Sequence, residues 1–172
     1  NDLRNFTVDA IEKKISLNPI LNAFQNIVNK YNIEWDLINS FLESMEYDLE
    51  NTKCDEKDYK KYIKGSAESV GLMCLKIFTH KHHGKYTQLK PYAESLGSAF
   101  QKINFLRDMR EDYHGLDRVY FPNLDISNFT NNNKKIIEED IAKDFSQALI
   151  GIKLLDKDAR KGVFLAYQYY MA

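Results

Sequence analysis

The sequence predicts an all-α protein built around one hydrophobic core. Apolar residues recur at spacings of three and four in almost every segment, and alternating strand-like runs are absent. The 172 residues contain no repeat, low-complexity tract or flexible linker. A chain of this length is the size of one domain and can bury a sizeable core. We therefore expect a single helical bundle that takes in residues 1–172.

Three helices are predicted in the first part of the chain. The first is amphipathic and covers residues 2–15. Asn18 followed by Pro19 is typical of a helix start, with Asn as the cap and Pro in the first helical position, and apolar spacing extends this second helix to Tyr31. The third helix covers residues 33–51, with its spacing set by Trp35, Leu37, Ile38, Phe41, Leu42, Met45 and Leu49.

A longer helix is predicted from Asp55 to about Thr79. Its stretch GSAESVG, residues 65–71, puts two glycines in a helix interior, where each costs about 1 kcal/mol relative to Ala. Such a cost is tolerated where another backbone or a ligand comes close, so tight helix packing and a ligand groove both remain open. The face that would line the groove carries Tyr62, Ser66, Val70 and Met73.

The central helix is predicted to begin near Pro91 and to end near Gly115, since Gly is common just after a helix C-terminus. A turn at 80–84 precedes it. The segments that follow are an extended stretch at 118–122, a loop at 123–133, an amphipathic helix at 134–155, a break at 156–160 and a last apolar helix at 161–171.

Composition and charge exclude several classes of protein. The net charge is −1 and the basic residues are scattered, which gives no electrostatic footprint for nucleic acid. No run of about 18 apolar residues could span a membrane, and no signal peptide is recognisable. Cys54 and Cys74 do not form a disulfide framework, so a reducing, cytoplasmic location is the expectation. Both ends of the chain fall within helical patterns, so we expect a domain that is incomplete at both ends.

The central helix is apolar on nearly every side except for one polar stripe. The stripe consists of Gln101, Asn104, Asp108 and Asp112, which share one face of the helix. Gly97 continues this face without a side chain and leaves room for a ligand beside the backbone. Because a helix that is apolar all round is normally buried, we expect the stripe to lie inside the bundle.

The two carboxylates of this stripe predict a metal site. Buried carboxylates are costly unless they are paired, hydrogen-bonded or bound to a metal. Asp108 and Asp112 lie one turn apart, so their like charges destabilise the helix unless a cation lies between them. Carboxylates beside amide oxygens suit Mg²⁺, which keeps waters and takes further ligands from substrate phosphates. The alternative is a solvated helix end with ordinary charges.

Two motifs resemble those of a known family. The stretch LGSAFQKINFLRDMREDYHGLDRVYFP, residues 96–122, resembles the second aspartate-rich motif of the squalene/phytoene synthases. The stretch YIKGSAESVGLM, residues 62–73, resembles the small-residue helix of the same family. Weaker matches are SMEYDL at 44–49 and the segment 166–169. In this order the resemblance spans the whole chain, and the two longer motifs together are specific.

The resemblance implies a class I isoprenoid synthase fold, in which helices surround a central cavity. There Mg²⁺ would assist the head-to-head joining of two farnesyl or geranylgeranyl diphosphates through a cyclopropyl intermediate, as in phytoene, squalene and dehydrosqualene synthases of carotenoid or triterpenoid biosynthesis. NADPH would be needed only in a reducing, squalene-forming type. Because the product is oily, peripheral contact with a membrane is a further expectation.

The resemblance also implies roles for single residues. The implied catalytic residues are Asp108, Asp112, Tyr62, Asn104 and Gln101, and the implied metal ligands are Asp108, Asp112, Asn104 and Glu111. The implied substrate-binding residues are Ser66, Val70, Gly71, Gly97, Arg107, Arg118, Tyr120 and Tyr169. Of these, Arg107 would bind charge or pair with Glu111 four residues later. Arg118 and Tyr120 would close over the diphosphate or buttress the bundle.

The sequence departs from the family pattern in three places. The first aspartate-rich motif of the family would precede the first helix, so half of the metal cage is missing and this polypeptide alone is expected to be inactive. Ser66 stands where Val is usual, and Tyr167 stands where Arg is common. A catalytically silent relative that serves as an assembly or interaction factor is therefore the alternative, and the region before Asn1 would discriminate between the two.

Overall fold

A computed structural model describes residues 2–51, 54–82, 84–116, 120–122 and 128–172, apart from the side chains at 50, 110 and 112–116. Over these residues the chain is a bundle of helices without a strand, so the predicted all-α fold is confirmed. Within the same ranges every helix is too short or too polar to cross a lipid bilayer. The helices are α1 (Asp2–Lys13), α2 (Pro19–Tyr31), α3 (Trp35–Glu50), α4 (Glu56–Ile63), α5 (Ser69–Phe78), α6 (Lys85–Leu116), α7 (Asn131–Leu154) and α8 (Lys157–Met171).

Side-chain caps define three of the helix starts. The Oδ1 atom of Asn18 accepts hydrogen bonds from the first free N–H groups of α2, as predicted. Asp55 caps α4 by accepting the N–H of Asp58 at 2.7 Å. At α7, Thr130 and Asn133 cap each other's backbone N–H groups, and this capping box starts the helix earlier than the apolar spacing predicts.

The predicted start of the central helix is wrong by two turns. Helix α6 begins at Lys85, so Pro91 lies inside the helix rather than at its first position. Tertiary contacts hold the extra turns, because Leu89 is buried in a leucine cluster and the Lys85 Nζ lies 2.5 Å from Asp156 Oδ1. Asp156 also precedes α8 directly, so this helix begins four residues earlier than predicted.

The predicted helix from Asp55 to Thr79 is interrupted by a π-helical turn at Lys64–Glu68, which separates α4 from α5. The turn is closed by Ser69, whose N–H and Oγ both bond to the carbonyl oxygen of Lys64. A Cβ atom on Gly65 would collide with Ser44 Oγ and the carbonyl of Ser40 on α3. The first glycine of this stretch therefore serves tight helix packing.

Helix α6 is the centre of the bundle and packs against α5, the π turn and α7. On the side toward α7, Lys102 is only 8% exposed. Its Nζ atom lies 2.5 Å from Asp140 Oδ2 and 2.8 Å from Asp144 Oδ2. Burial acts to lower the Lys102 pKa, but the hydrogen bonds to both aspartates outweigh it and raise the pKa overall. This ion cluster ties α7 to α6.

Candidate functional site

A cavity of about 360 Å³ lies between α5, α6, α7 and α8. Its volume is within the range of small-molecule sites. Helix α6 lines it at spacings of three and four, so one face of that helix forms a continuous wall. The wall consists of Leu89, Tyr92, Ala93, Leu96, Gly97, Phe100, Gln101 and Asn104.

The opposite wall comes from the π turn and α5, and it includes three of the predicted substrate contacts, Ser66, Val70 and Gly71. The backbones on the two walls lie close together. A Cβ atom on Gly97 would lie 2.7 Å from the carbonyl oxygen of Ala67, so only Gly lets α6 approach the π turn this closely. The segment 65–71 therefore does both things that its glycines predict: it packs tightly against neighbouring helices and it lines a cavity.

The cavity is polar at one end and apolar at the other. Gln101 and Asn104 stand at the polar end. At about 1.5 Å of rise per residue, the wall extends roughly 22 Å along α6 from Asn104 to Leu89 at the apolar end. The Oδ1 atom of Asn104 is buried and has no hydrogen-bond partner. A buried polar atom without a partner costs about 1–3 kcal/mol, and the residue that carries this oxygen also lines the cavity.

Asp108 follows Asn104 by one turn, and its side chain is 38% exposed rather than deeply buried. Both of its oxygens accept hydrogen bonds from Arg107, each at 2.6 Å. The hydrogen bond with Arg107 lowers the pKa of Asp108, which keeps this carboxylate ionised. Arg107 thus pairs with its neighbour and not with Glu111, which is exposed.

Two of the predicted site residues cannot be assigned a position. The side chain of Asp112 and the whole of Arg118 lie outside the described residues. In the part of the chain that is described, no three His, Cys, Asp or Glu side chains lie close enough to hold a metal ion by themselves. The described donors of the stripe are therefore Gln101, Asn104 and Asp108, which combine two amide oxygens with one carboxylate.

Tyr62 does not line this cavity; it lines a second pocket together with Tyr47 and Asp58. Its hydroxyl donates to Asp48 Oδ2 at 2.6 Å, and the hydroxyl of Tyr120 donates to Asp48 Oδ1 at 3.3 Å. Burial and the bond to Asp48 raise the pKa of Tyr62. Tyr120 also stacks on Phe105, with ring centroids 4.1 Å apart. Asp48 is the residue that sequence reasoning missed, although it lies in the weakly matching SMEYDL segment.

Helix α8 contributes to the cavity through a neighbour of the predicted residue. Tyr169 is 79% exposed and does not line the cavity, whereas Tyr170 does. One residue along a helix turns a side chain by about 100°, so a one-position error moves it from the wall to the surface. Tyr170 stacks on Phe100 with a centroid separation of 4.1 Å. Tyr167, where Arg is common in the family, is buried against Phe145 in the core.

The family model for squalene/phytoene synthases matches residues 1–172. The chain belongs to this family. This match confirms the resemblance that the two motifs indicate. The longer motif, residues 96–122, contains Asn104 and Asp108 of the polar stripe.

Named relatives and solved structures agree with this membership. The chain is 30% identical over 121 residues to the phytoene synthases of Mycobacterium bovis and Mycobacterium tuberculosis, an alignment that covers 67% of this chain and 38% of theirs. The chain thus matches well under half the length of these relatives.

Two solved structures show the same fold. Squalene synthase HpnC from Alicyclobacillus acidocaldarius superposes with a TM-score of 0.81 at 17% identity, covering 98% of this chain and 68% of that one. A dehydrosqualene synthase in complex with ligand gives a TM-score of 0.81 at 23% identity, covering 98% of this chain and 64% of that one. The isoprenoid synthase fold predicted from the motifs is therefore confirmed.

Proposed function

We propose that this chain belongs to a Mg²⁺-dependent prenyltransferase that joins two isoprenyl diphosphates head to head. The observation that carries the proposal is the unpaired, buried Oδ1 atom of Asn104 at the polar end of an otherwise apolar cavity. An isoprenyl diphosphate has the same division into a charged head and an apolar tail. Its head would lie at Asn104 and its tail along the wall of α6.

The polar end suits a diphosphate with Mg²⁺. The donors are amide oxygens from Gln101 and Asn104 and the ionised carboxylate of Asp108, and hard cations prefer such oxygen ligands. When bound, Mg²⁺ would neutralise the charge that develops on the departing diphosphate. Asp112 and Glu111 remain predicted ligands on the same helix. Arg107 donates two hydrogen bonds to Asp108 and so orients this carboxylate. Its predicted contact with a phosphate oxygen is part of the proposal.

The apolar wall next to the polar end suits a reactive carbocation, which would form at the carbon that carries the departing diphosphate. Such a wall would keep away water, which would otherwise capture the cation. The stacked rings of Phe100 and Tyr170 lie on the wall next to the polar end. Aromatic faces attract cationic groups, so these rings would stabilise positive charge on the substrate without reacting with it.

We propose farnesyl or geranylgeranyl diphosphate as the substrate, with a product of the phytoene, squalene or dehydrosqualene type. NADPH enters only if the product is squalene. The catalytically silent alternative gives no reason for the Asn104 oxygen, because a bundle without a ligand could replace this costly group with an apolar one. Peripheral contact with a membrane remains an expectation from the oily product.

Binding tests this proposal without requiring turnover. The affinity of the protein for farnesyl S-thiolodiphosphate, which resists ionisation, is measured by calorimetry with and without MgCl₂. We expect Mg²⁺-dependent binding that Asp108→Asn weakens roughly tenfold or more, as for other changes in a metal's surroundings. Asp158→Asn, an exposed change on α8, serves as the matched control and should leave the affinity unchanged. Binding that ignores both Mg²⁺ and Asp108→Asn would refute the proposed site.

A further inference from the structure

The apolar end of the cavity contains a large residue opposite a missing side chain. Tyr92 of α6 is half-buried and lines the cavity. Gly151 of α7 lines the same end and is buried. The residues that surround this pair are Leu75, Leu89 and Leu155, which also line the cavity and belong to one core cluster with Leu72.

Gly151 is what allows the Tyr92 ring to occupy its present position. A Cβ atom on residue 151 would collide with Tyr92 Cβ and would lie 2.8 Å from Cγ and 3.2 Å from Cδ2. The ring therefore lies directly against the α7 backbone and fills the space that a side chain at 151 would take. Because the leucine cluster also packs against Tyr92, the ring is held as a fixed part of the wall.

The position of Tyr92 along α6 places it at the far end of a bound tail. It lies twelve residues before Asn104, which corresponds to about 18 Å along the helix axis. Ser66, the residue predicted to affect chain length, is on the π turn beside Ala67, whose carbonyl oxygen faces Gly97 of α6. Gly97 lies between Tyr92 and Asn104 along α6. Ser66 would therefore contact the middle of a chain that runs along the cavity, and Tyr92 its far end.

We propose that Tyr92, seated on Gly151, limits the length of the isoprenyl chain that the cavity accepts. The proposal rests on the proposed function, since it assumes that the tail enters from the Asn104 end. Geranylgeranyl diphosphate is one isoprene unit longer than farnesyl diphosphate, and this last unit must pass the Tyr92 ring. The ring therefore disfavours the longer chain, and a smaller residue at position 92 relieves the restriction.

A graded series of variants tests this role. The dissociation constants of farnesyl and geranylgeranyl S-thiolodiphosphate are measured with Mg²⁺ for the wild type and for Tyr92→Phe, Tyr92→Leu and Tyr92→Ala. Apolar pockets discriminate about 10–200-fold for one methylene, so we expect Tyr92→Ala to shift the ratio at least tenfold toward the longer chain. Tyr92→Leu should give a smaller shift. Tyr92→Phe keeps the ring and should keep the wild-type ratio.

A control separates chain length from general packing. Tyr86 packs against the same leucine cluster but does not line the cavity, so Tyr86→Ala removes a similar ring without widening the site. It should leave the ratio of the two affinities unchanged. Far-UV circular dichroism establishes that each variant is folded. If Tyr92→Ala unfolds, Tyr92→Leu replaces it as the test variant, because leucine keeps enough apolar bulk to fill the core.

The possible results separate the two proposals. If the wild type binds both ligands but the ratio is the same in every Tyr92 variant, the role of Tyr92 is refuted while the proposed function stands. An equal shift in Tyr86→Ala would also refute it, because the effect would then come from packing. If the wild type binds neither ligand, the proposed function fails and the role of Tyr92 fails with it.

Discussion

The close approach of α6 to the π turn at Gly97 allows a quantitative test. A Cβ atom there would lie 2.7 Å from the Ala67 carbonyl oxygen, 2.9 Å from its carbon and 3.1 Å from Glu68 Cα. All three atoms belong to the backbone of the π turn, so no side-chain rotation can relieve the contact. Gly97→Ala must therefore displace one helix relative to the other.

The expected cost follows from two opposing effects. Overpacking of this kind costs about 1–3 kcal/mol, and contact with backbone on three atoms favours the upper end. The better helix propensity of Ala returns about 1 kcal/mol. We expect Gly97→Ala to lower the free energy of unfolding by about 2 kcal/mol. For a protein of this size, the melting temperature should fall by roughly 4–8 °C.

A second glycine provides the matched control. Gly162 on α8 is exposed, and a Cβ atom there would meet nothing within 4 Å. Gly162→Ala should therefore gain the helix propensity alone and raise the free energy of unfolding by up to about 1 kcal/mol. Urea unfolding followed by circular dichroism at 222 nm measures both variants. If Gly97→Ala is as stable as Gly162→Ala, the close approach of α6 to the π turn is wrong.

Three further predictions concern charge and cavity shape. Burial, together with neighbouring Glu94 and Asp144, raises the pKa of Glu68 to about 7. The folded state therefore favours the protonated acid, and stability should decline as the pH rises from about 4.5 through 7. Glu68→Gln should then be more stable than the wild type at pH 8, by about 1 kcal/mol after allowance for solvent access, and not at pH 4.5. Lys102→Met should cost about 3 kcal/mol in urea unfolding, because it leaves the α7 aspartates without their buried partner; the value is at the low end for a buried pair since Asp140 is 55% exposed. Ser66→Leu should shift ligand preference toward the shorter isoprenyl chain, measured with the same thiolodiphosphate pair.

Each of these three has a result that contradicts it. An equal gain for Glu68→Gln at both pH values would mean that its ionisation is not the cause. The exposed pair of Lys60 with Glu56 is the control for Lys102, since Lys60→Met should leave the midpoint of urea unfolding nearly unchanged. Equal costs for the two variants would exclude a special role for the buried cluster. An unchanged chain-length preference in Ser66→Leu would remove that residue from the tail channel.

The polar stripe was predictable because its chemistry is local to one helix. Gln101 and Asn104 interrupt an apolar pattern at helical spacing, and both line the cavity. The exposure of Asp108 was less predictable. Whether a residue near the end of a buried stripe is covered depends on which elements pack beside it, and helical spacing carries no information about that.

Other features could not be predicted because tertiary contacts decide them. The π turn at Lys64–Glu68 depends on the fit of Gly65 against α3 and of Gly97 against the turn, which local pattern does not specify. Pro91 was expected at a helix start on local preference, yet contacts of Leu89 in the core extend α6 beyond it. Positions 169 and 170 are both tyrosine, so the residue type does not distinguish them. Only the orientation of α8 decides that Tyr170, and not Tyr169, lines the cavity.

The central claim is that the Asn104 end of the cavity receives a diphosphate and the α5–α6 walls receive its apolar tail. A crystal structure of the protein with Mg²⁺ and farnesyl S-thiolodiphosphate measures this directly. We expect the diphosphate beside Asn104 and Asp108, and the tail running along α6 toward Tyr92. A diphosphate bound elsewhere, or a tail that lies outside this cavity, would contradict the account.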